Sequence, residues 1–503
     1  MTIDDDICYR ALSTRDRRFD GGFFTGVRST GVFCRPICPA PTPKRENCTF
    51  FPSAAAAHAA GFRPCLRCRP EAAPGTPAWA GTSATVSRAM RLIEAGALDE
   101  GNLPALCERL GVGERHLRRL FLTHVGATPT ALAQMRRALF AKKLLDETGL
   151  TMTEIAYAAG YASVRRFNEA FQRTYGRPPT AIRRSKRNMA EGGTIALRLP
   201  FRPPYAWSAL LDHLGPRAIP GVETVSGGRY RRTIAIGATT GTVEIGMGES
   251  GDHLTARLRL STSVPLIRVV ERLKRQFDLG ADPAAIATHL GGDARLGPAV
   301  AAMPGLRVTG AWDPFELAVR AILGQQISVA AATTLAGRMA SAFGRQVESA
   351  DDALSHLFPT PEALADADLT TIGVIRARSE TIMRLARAVA EGTLILDGRG
   401  SLDEKIAALR EIPGIGPWTA SYVAMRGLGE PDAFPEGDLG LRRAFGGAAP
   451  ASAGALREAA EAWRPWRAYA AMYLWRSGTS LGEPESSTRH QPLAVGATNE
   501  AGL

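Results

Sequence analysis

The stretch Asp403–Asp438 restricts the possible folds of this chain more than any other. Ile406, Leu409 and Ile412 recur at helical spacing, so its first part reads as an amphipathic helix. IPGIG (Ile412–Gly416) then breaks the pattern, with Gly414 and Gly416 free to take positive φ and to let another backbone approach closely. Pro417 suits the first position of a new helix, on which Trp418, Tyr422 and Met425 share one face by their spacing. A helix, a glycine turn and a second helix leave backbone N–H groups of the second helix facing outward, where they suit a phosphate. A carboxylate, Asp438, follows Trp418 by 20 residues.

Charge points to the same kind of partner. The chain carries +12 overall, but the excess is confined to its first part: residues 1–191 hold 29 Lys+Arg against 17 Asp+Glu, and residues 192–503 hold 32 of each. A polyanion is therefore attracted to the first two-fifths of the chain. There is no long apolar run or lipidation motif to suggest a membrane. MTIDDDICYR has no apolar stretch of the secretory kind. At 503 residues with 45% hydrophobic content, three or four domains with full cores are expected.

Seven cysteines include two close pairs, Cys34/Cys38 in FCRPIC and Cys65/Cys68 in CLRC, separated by 26 residues. This suits tetrahedral Zn²⁺ in a reducing compartment better than a disulfide framework. Spacing alone leaves open a purely structural zinc knot. VRSTGVFCRPIC and RENCTFFPSAAAAHAAGFRPCLRC resemble the N-terminal domain of Ada-type alkylation response proteins. That resemblance implies that Cys34, first of its pair, accepts a methyl group from a DNA methylphosphotriester. Zinc keeps the nucleophilic thiolate deprotonated. Methylation would reduce the cluster's formal charge from about −2 to −1, letting nearby Arg35, Lys44, Arg45, Arg63, Arg67 and Arg69 bind DNA more tightly. Cys8, Cys48 and Cys107 read as ordinary cysteines.

After the Pro/Gly-rich Ala72–Ser83, LPALCERLGVGERHLRRLF and MTEIAYAAGYASVRRFNEAF form an internal repeat offset by 49 residues. Each is a short apolar helix, a glycine turn (Gly111, Gly160) and a basic helix. The arrangement resembles the twin helix-turn-helix domain of AraC-type regulators. Ser163 reads as a helix N-cap, with Phe167 and Phe171 inward and Arg165, Arg166 and Asn168 outward. Arg118 and Arg119, on the basic helix of the first unit, are further candidates for DNA contact. Arg and Asn suit guanine and adenine edges in the major groove; the plain alternative is a solvated basic face.

From Ile195 the pattern turns to strict alternation (Ile195, Leu197, Leu199, Phe201; Leu254, Ala256, Leu258, Leu260), as in a half-exposed antiparallel sheet of four or five strands. Helices near Trp207–Leu214 and Leu266–Phe277 would cover it. Trp312–Gly344 is apolar enough for a central buried helix pair. The alternating region, ILGQQIS, and IPGIGPWTASYVAMRG together resemble AlkA-type 3-methyladenine DNA glycosylases of the helix-hairpin-helix superfamily, from Ile195 to Ser477.

The resemblance implies a catalytic role for Asp438, beside a base pocket walled by Trp418, Tyr422 and Trp475, with Trp312 a further candidate. Gly414 and Gly416 would hold DNA at the hairpin. A flipped purine made cationic by alkylation gains roughly 0.5–2 kcal/mol over aromatic rings and leaves readily, so a carboxylate near the sugar suffices. On the residues alone, Asp438 could simply cap a helix and Trp475 belong to a core. Bifunctional relatives carry Lys where Trp418 stands, and an indole is no amine nucleophile, so hydrolysis without strand cleavage is expected. Gln326 replaces the family's apolar wedge, PEGD replaces a Pro-Asp-Asp run, and the Pro-Cys-His-Arg motif of a methyltransferase domain does not occur.

The expected architecture is multidomain α+β: a zinc domain (1–75), a linker (76–83), an all-α twin helix-turn-helix domain (84–186), a linker (187–194), an antiparallel sheet subdomain (195–280), an all-α glycosylase domain (281–480) and a disordered tail (481–503). The expected function joins a methylphosphotriester-sensing regulator to a monofunctional glycosylase for alkylated purines. The alternative is a regulator with an inactive glycosylase fold. The implied partners are damaged and promoter double-stranded DNA and RNA polymerase, in a bacterial cytoplasm at the nucleoid.

Overall fold

The structure, a computed structural model, describes residues 4–74, 84–99, 101–183, 193–261, 266–349, 351–397, 400–447 and 449–479. The expected linker at 76–83, most of that at 187–194 and the tail at 481–503 lie outside the described residues.

The first unit opens with a helix, Asp5–Thr14, capped by the Asp4 carboxylate. It is followed by strands β1 (Phe24–Val27), β2 (Val32–Cys34), β3 (Cys48–Phe51) and β4 (Arg63–Pro64), ordered β3-β1-β2-β4. The short β4 runs parallel to β2, with Phe33 opposite Pro64. That register sets Cys34, at the end of β2, beside Cys65, just past β4, so the two cysteine pairs converge although far apart in sequence.

The repeat folds as Leu103–Leu110 with Glu114–Val125 and Met152–Ala158 with Val164–Tyr175, joined by the long helix Pro129–Glu147. Gly111 and Gly160 turn each pair at φ 67° and 81°, a left-handed conformation that glycine adopts without strain. Leu117, Phe121 and Val125 are buried in one unit and Phe167, Phe171 and Tyr175 in the other. Recurrence every four residues gives each basic helix one apolar stripe and leaves its other face in solvent.

Strands β5 (Ile195–Pro200), β6 (Glu223–Ser226), β7 (Arg229–Ile236), β8 (Thr239–Met247) and β9 (His253–Leu260) form an antiparallel sheet ordered β5-β9-β8-β7-β6. The β6–β7 hairpin turns on Gly227-Gly228, both at positive φ, as a two-residue loop matched to strand twist requires. Leu197, Leu199, Leu254, Ala256 and Leu258 fill its inner face with residues of the helix Leu266–Gln276.

Two further apolar clusters make up the remaining helices, one around Phe315, Val319, Ile322 and Leu409, the other around Leu441, Trp463, Tyr469 and Tyr473. The helix Pro417–Arg426 lies at their seam, giving Ala420 and Val423 to the first and Ala424 and Met425 to the second. Of the expected buried helix pair, only Pro314–Leu323 is enclosed. Its partner Val329–Phe343 leaves Val329 41% exposed, because its first turns consist of Ala and Thr and only Ala336, Gly337, Met339 and Ala340 face the core.

The basic and neutral parts of the chain are not strung apart. One apolar cluster runs continuously from Phe140, through Phe167 and Ile182, to Leu197 and Trp312. Ion pairs also join the two parts, Arg91 with Glu430 at 3.0 Å and Arg109 with Asp397 at 2.6 Å, and the buried Lys405 holds the same Glu430 from within its own part. The Glu147 carboxylate accepts from the Arg198 backbone N–H at 3.0 Å, and Lys143 donates to the Arg198 carbonyl.

Candidate functional site

The hairpin is built as its residues suggest, with one exception. Ser401 and Glu404 form a reciprocal capping box on the helix Leu402–Arg410. Gly414 sits at φ 97°, and a Cβ there would lie 2.0 Å from Thr381 Oγ1, so both conformation and space demand glycine. Gly416 does not share this constraint: it is the N-cap of the second helix at an extended φ of −83°, open to solvent. Gln325 clamps the turn, its Nε2 donating to the Gly414 carbonyl at 3.1 Å and to Thr419 Oγ1 at 3.0 Å. Its neighbour Gln326 is exposed at φ 57°, a strained conformation for a residue with a Cβ.

At the seam, Trp418 stacks on Tyr422 with ring centroids 5.3 Å apart and an interplanar angle of 16°. Trp475 meets Tyr422 edge-on at 6.3 Å. Asp438 joins these walls: Oδ2 accepts from Trp418 Nε1 at 2.9 Å, and Oδ1 accepts from Trp475 Nε1, also at 2.9 Å. Oδ1 additionally accepts from the Leu441 N–H, capping the helix Leu439–Gly446. The capping reading and the pocket reading therefore describe the same carboxylate. All four side chains are half-buried. A Cβ on Gly440 would lie 3.0 Å from Asp438 Oδ1 and 3.4 Å from Trp475 Cδ1, so glycine leaves the carboxylate room against the indole.

A cationic rim borders this pocket. Arg426 donates to the Tyr422 hydroxyl and lies 5.4 Å from its ring centroid. Burial pushes that hydroxyl's pKa up, but Arg426, Arg217 and Arg320 outweigh it and hold the group below the usual range.

Trp312 is not part of the wall. It is 5% exposed and lies in the sheet-side core, with the guanidiniums of Arg232 and Arg272 at 5.7 and 5.2 Å from its ring. Near the cysteines, Arg35 and Arg69 are also spent internally. Arg35 is 8% exposed and ion-paired to Asp20, and Arg69 pairs with Asp146, Glu71 and Glu147. Arg45 contacts Asp5 at 3.1 Å and lies over the Tyr9 and Phe50 rings. Lys44, Arg63 and Arg67 stay exposed.

The Sγ atoms of Cys34, Cys38, Cys65 and Cys68 all lie within 4.8 Å of one another, and the Arg35 N–H donates to Cys68 Sγ at 3.4 Å. Four sulfurs this close, with no carboxylate or imidazole among them, fit a tetrahedral Cys₄ zinc site. Cys8, Cys48 and Cys107 are buried and apart from it. In the second helical repeat Ser163 caps its helix by accepting from the Arg166 N–H, while Arg165, Arg166 and Asn168 are exposed, as are Arg118 and Arg119 in the first.

Gln325, Thr381 and Thr419 had no signal in the sequence, since each acts on a partner distant in the chain, whereas Arg426 stands four residues from Tyr422, a helical spacing that could have found it.

Four family profiles match: the metal-binding domain of Ada over residues 7–71, a helix-turn-helix domain over 106–185, the AlkA N-terminal domain over 196–313, and the HhH-GPD superfamily of base excision DNA repair proteins over 319–467. A zinc-binding domain and a helix-turn-helix in one chain with that repair fold define a DNA-binding regulator fused to a DNA glycosylase. The chain is 43% identical over 490 residues to the probable bifunctional transcriptional activator/DNA repair enzyme AlkA of Mycobacterium tuberculosis, covering 96% of this chain and 98% of that one, and it belongs to that family. Its second part is 38% identical over 282 residues to DNA-3-methyladenine glycosylase 2 of Escherichia coli, covering 55% of this chain and 95% of the relative. Its first part is 35% identical over 192 residues to the bifunctional transcriptional activator/DNA repair enzyme Ada of the same organism, covering 37% and 51%. Zn²⁺ is its cofactor. Among the described residues no helix is long and apolar enough to cross a membrane.

Proposed function

We propose that the Asp438 pocket hydrolyses the N-glycosidic bond of alkylated purines, 3-methyladenine-like bases foremost, without cutting the strand. The observation that carries this is the carboxylate of Asp438 held by the indole N–H groups of both Trp418 and Trp475. An extruded cationic purine stacks against Trp418, Tyr422 and Trp475 while Asp438 faces its sugar, stabilising positive charge at C1′ or orienting water. Gly414, Gly416 and the start of the Pro417–Arg426 helix hold a backbone phosphate. Gln326, exposed and strained, fills the gap left in the duplex. Trp418 stands where an amine would be needed for strand cleavage, so a free base and an intact abasic strand are the products.

In the same reading, Zn²⁺ held by Cys34, Cys38, Cys65 and Cys68 keeps the thiolates nucleophilic, and Cys34 takes the methyl group of a methylphosphotriester irreversibly. The lowered negative charge of the cluster strengthens DNA binding beside Lys44, Arg63 and Arg67. Arg165, Arg166, Asn168, Arg118 and Arg119 read or grip a promoter, and RNA polymerase is the partner through which such a complex activates transcription.

The test is incubation of the purified full chain with methylated duplex. Release of free methylpurine without nicking, lost in Asp438→Asn, supports the enzyme. A wild-type chain that releases none leaves only a DNA-binding regulator. For the acceptor, mass spectrometry after exposure to methylphosphotriester DNA should find one added methyl on Cys34, and its absence rejects that half.

A further inference from the structure

Two segments that the repair reading brings to DNA, the loop 324–328 and the hairpin turn at Gly414, belong to different helix pairs and are nevertheless fastened together. Gln325 makes the join. Its Nε2 group commits both N–H donors to the hairpin, one to the Gly414 carbonyl at 3.1 Å and one to Thr419 Oγ1 at 3.0 Å, 89 and 94 residues away in the chain. The helix Arg376–Ala390 backs both segments. From it Arg378 donates to the Gln325 carbonyl, while Thr381, three residues on and so on the same face, fills the place a Gly414 Cβ would take.

These contacts also fix Gln326. The carbonyl that Arg378 holds belongs to the peptide between Gln325 and Gln326, the plane from which the φ of Gln326 is measured. On the other side Ser328 caps the helix Val329–Phe343, its Oγ accepting from the Ala331 N–H at 3.2 Å. Gln326 stands exposed between the two anchors at φ 57°. A residue with a Cβ keeps such a conformation only where its surroundings over-determine it, and strain of this kind gathers at ligand clamps.

We propose that Gln325 is a positioning residue for lesion recognition: with Arg378 it locks the spacing between Gln326 and the Gly414 turn, so that both engage one duplex only where a nucleotide has left the stack. On an intact duplex a stacked base occupies the place of the Gln326 side chain, and a rigid pair that seats one contact must give up the other. At a gap the first contact brings the second into register with no loop left to order, so two weak contacts act as one. This rests on the reading of the turn as a phosphate grip and of Gln326 as the residue that fills the gap.

The probes are a duplex carrying a tetrahydrofuran abasic analogue and the same duplex intact, with affinity for the Zn²⁺-loaded full chain read by fluorescence anisotropy. DNA contacts of the regulator half enter both affinities and cancel in their ratio. Gln325→Glu keeps the shape of the side chain but sets a carboxylate oxygen against the Gly414 carbonyl. The expected abasic-to-intact preference is about tenfold lower in Gln325→Glu. It falls likewise in Arg378→Met, which releases the Gln325 carbonyl without touching the turn and decides alone if the first variant does not fold. Adding Gln326→Ala to Gln325→Glu should lower it little further, since both act through one side chain. A preference unchanged in the folded variants, a loss shared equally by the two duplexes, or effects that multiply in the double variant overturns the proposal. Full preference in Gln326→Ala alone overturns it together with the gap-filling role. Release of methylpurine by the wild-type chain is scored separately, so the Asp438 pocket can stand while this brace fails, or fail while the brace stands.

Discussion

Replacing Trp475 by Phe isolates what the indole N–H does for Asp438. The ring, its edge-on contact with Tyr422 at 6.3 Å and most of its volume remain, while the 2.9 Å bond from Nε1 to Oδ1 is lost. Hydrogen bonds to charged groups contribute about 1.5–3 kcal/mol. If the bond serves to aim the carboxylate at the sugar, that loss falls on the transition state, and each 1.36 kcal/mol is about tenfold in rate. Oδ1 keeps the Leu441 N–H and Oδ2 keeps Trp418, so the lower half of the range applies. Single-turnover release of methylpurine should slow by about 13- to 45-fold, with binding of abasic duplex nearly unchanged. Trp418→Phe should cost a similar factor, and the pair together less than the product of the two, since both act through one carboxylate. Full activity in both single variants alongside an inactive Asp438→Asn would show that the indoles do not position the carboxylate.

Gly414→Ala meets Thr381 Oγ1 at 2.0 Å at a φ of 97°, so it should weaken duplex binding and cost about 1–3 kcal/mol in denaturant unfolding, whereas Gly416→Ala, in open space, should change stability by under about 1 kcal/mol. Glu316 is buried and bonded to Arg232 at 2.6 Å and Arg320 at 3.3 Å; Glu316→Gln leaves buried cations short of charge and should cost about 3–5 kcal/mol by urea titration. Burial raises the pKa of Asp278 from 3.8 to about 6, although Arg307 and the Tyr469 hydroxyl work against it. The folded state then holds a proton the unfolded chain has lost, so this residue's contribution is complete below pH 4 and declines as pH rises toward 6. Asp278→Asn, which tolerates the local φ of 49°, should flatten that pH dependence of the melting temperature and stabilise the protein at pH 7.

The hairpin, the cysteine pairs and the helical repeat were legible because each is a local pattern: a glycine between helices, a ligand spacing, an apolar stripe every four residues. What escaped was set by partners far away in the chain. Arg35 reads as a DNA contact until Asp20 is found beside it, and Arg69 until Asp146 and Glu147 arrive from 77 and 78 residues on. Trp312 carries the same residue type as the pocket's tryptophans, and only packing assigns it to the sheet. Gly416 was read by type, like Gly414, yet only one of them faces a neighbour that forbids a side chain. The hold of Gln325 on the turn runs through a backbone carbonyl, which no residue pattern encodes.

The apolar cluster from Phe140 to Trp312 has a consequence for anyone who would separate the two trades of this chain. Severing it between Ile182 and Ile195 strips oily surface bare on both fragments, so each is expected to clump or loosen rather than work alone. Heating should silence promoter binding and base release over one shared transition, and a lesion in either half should be felt as frailty in the other.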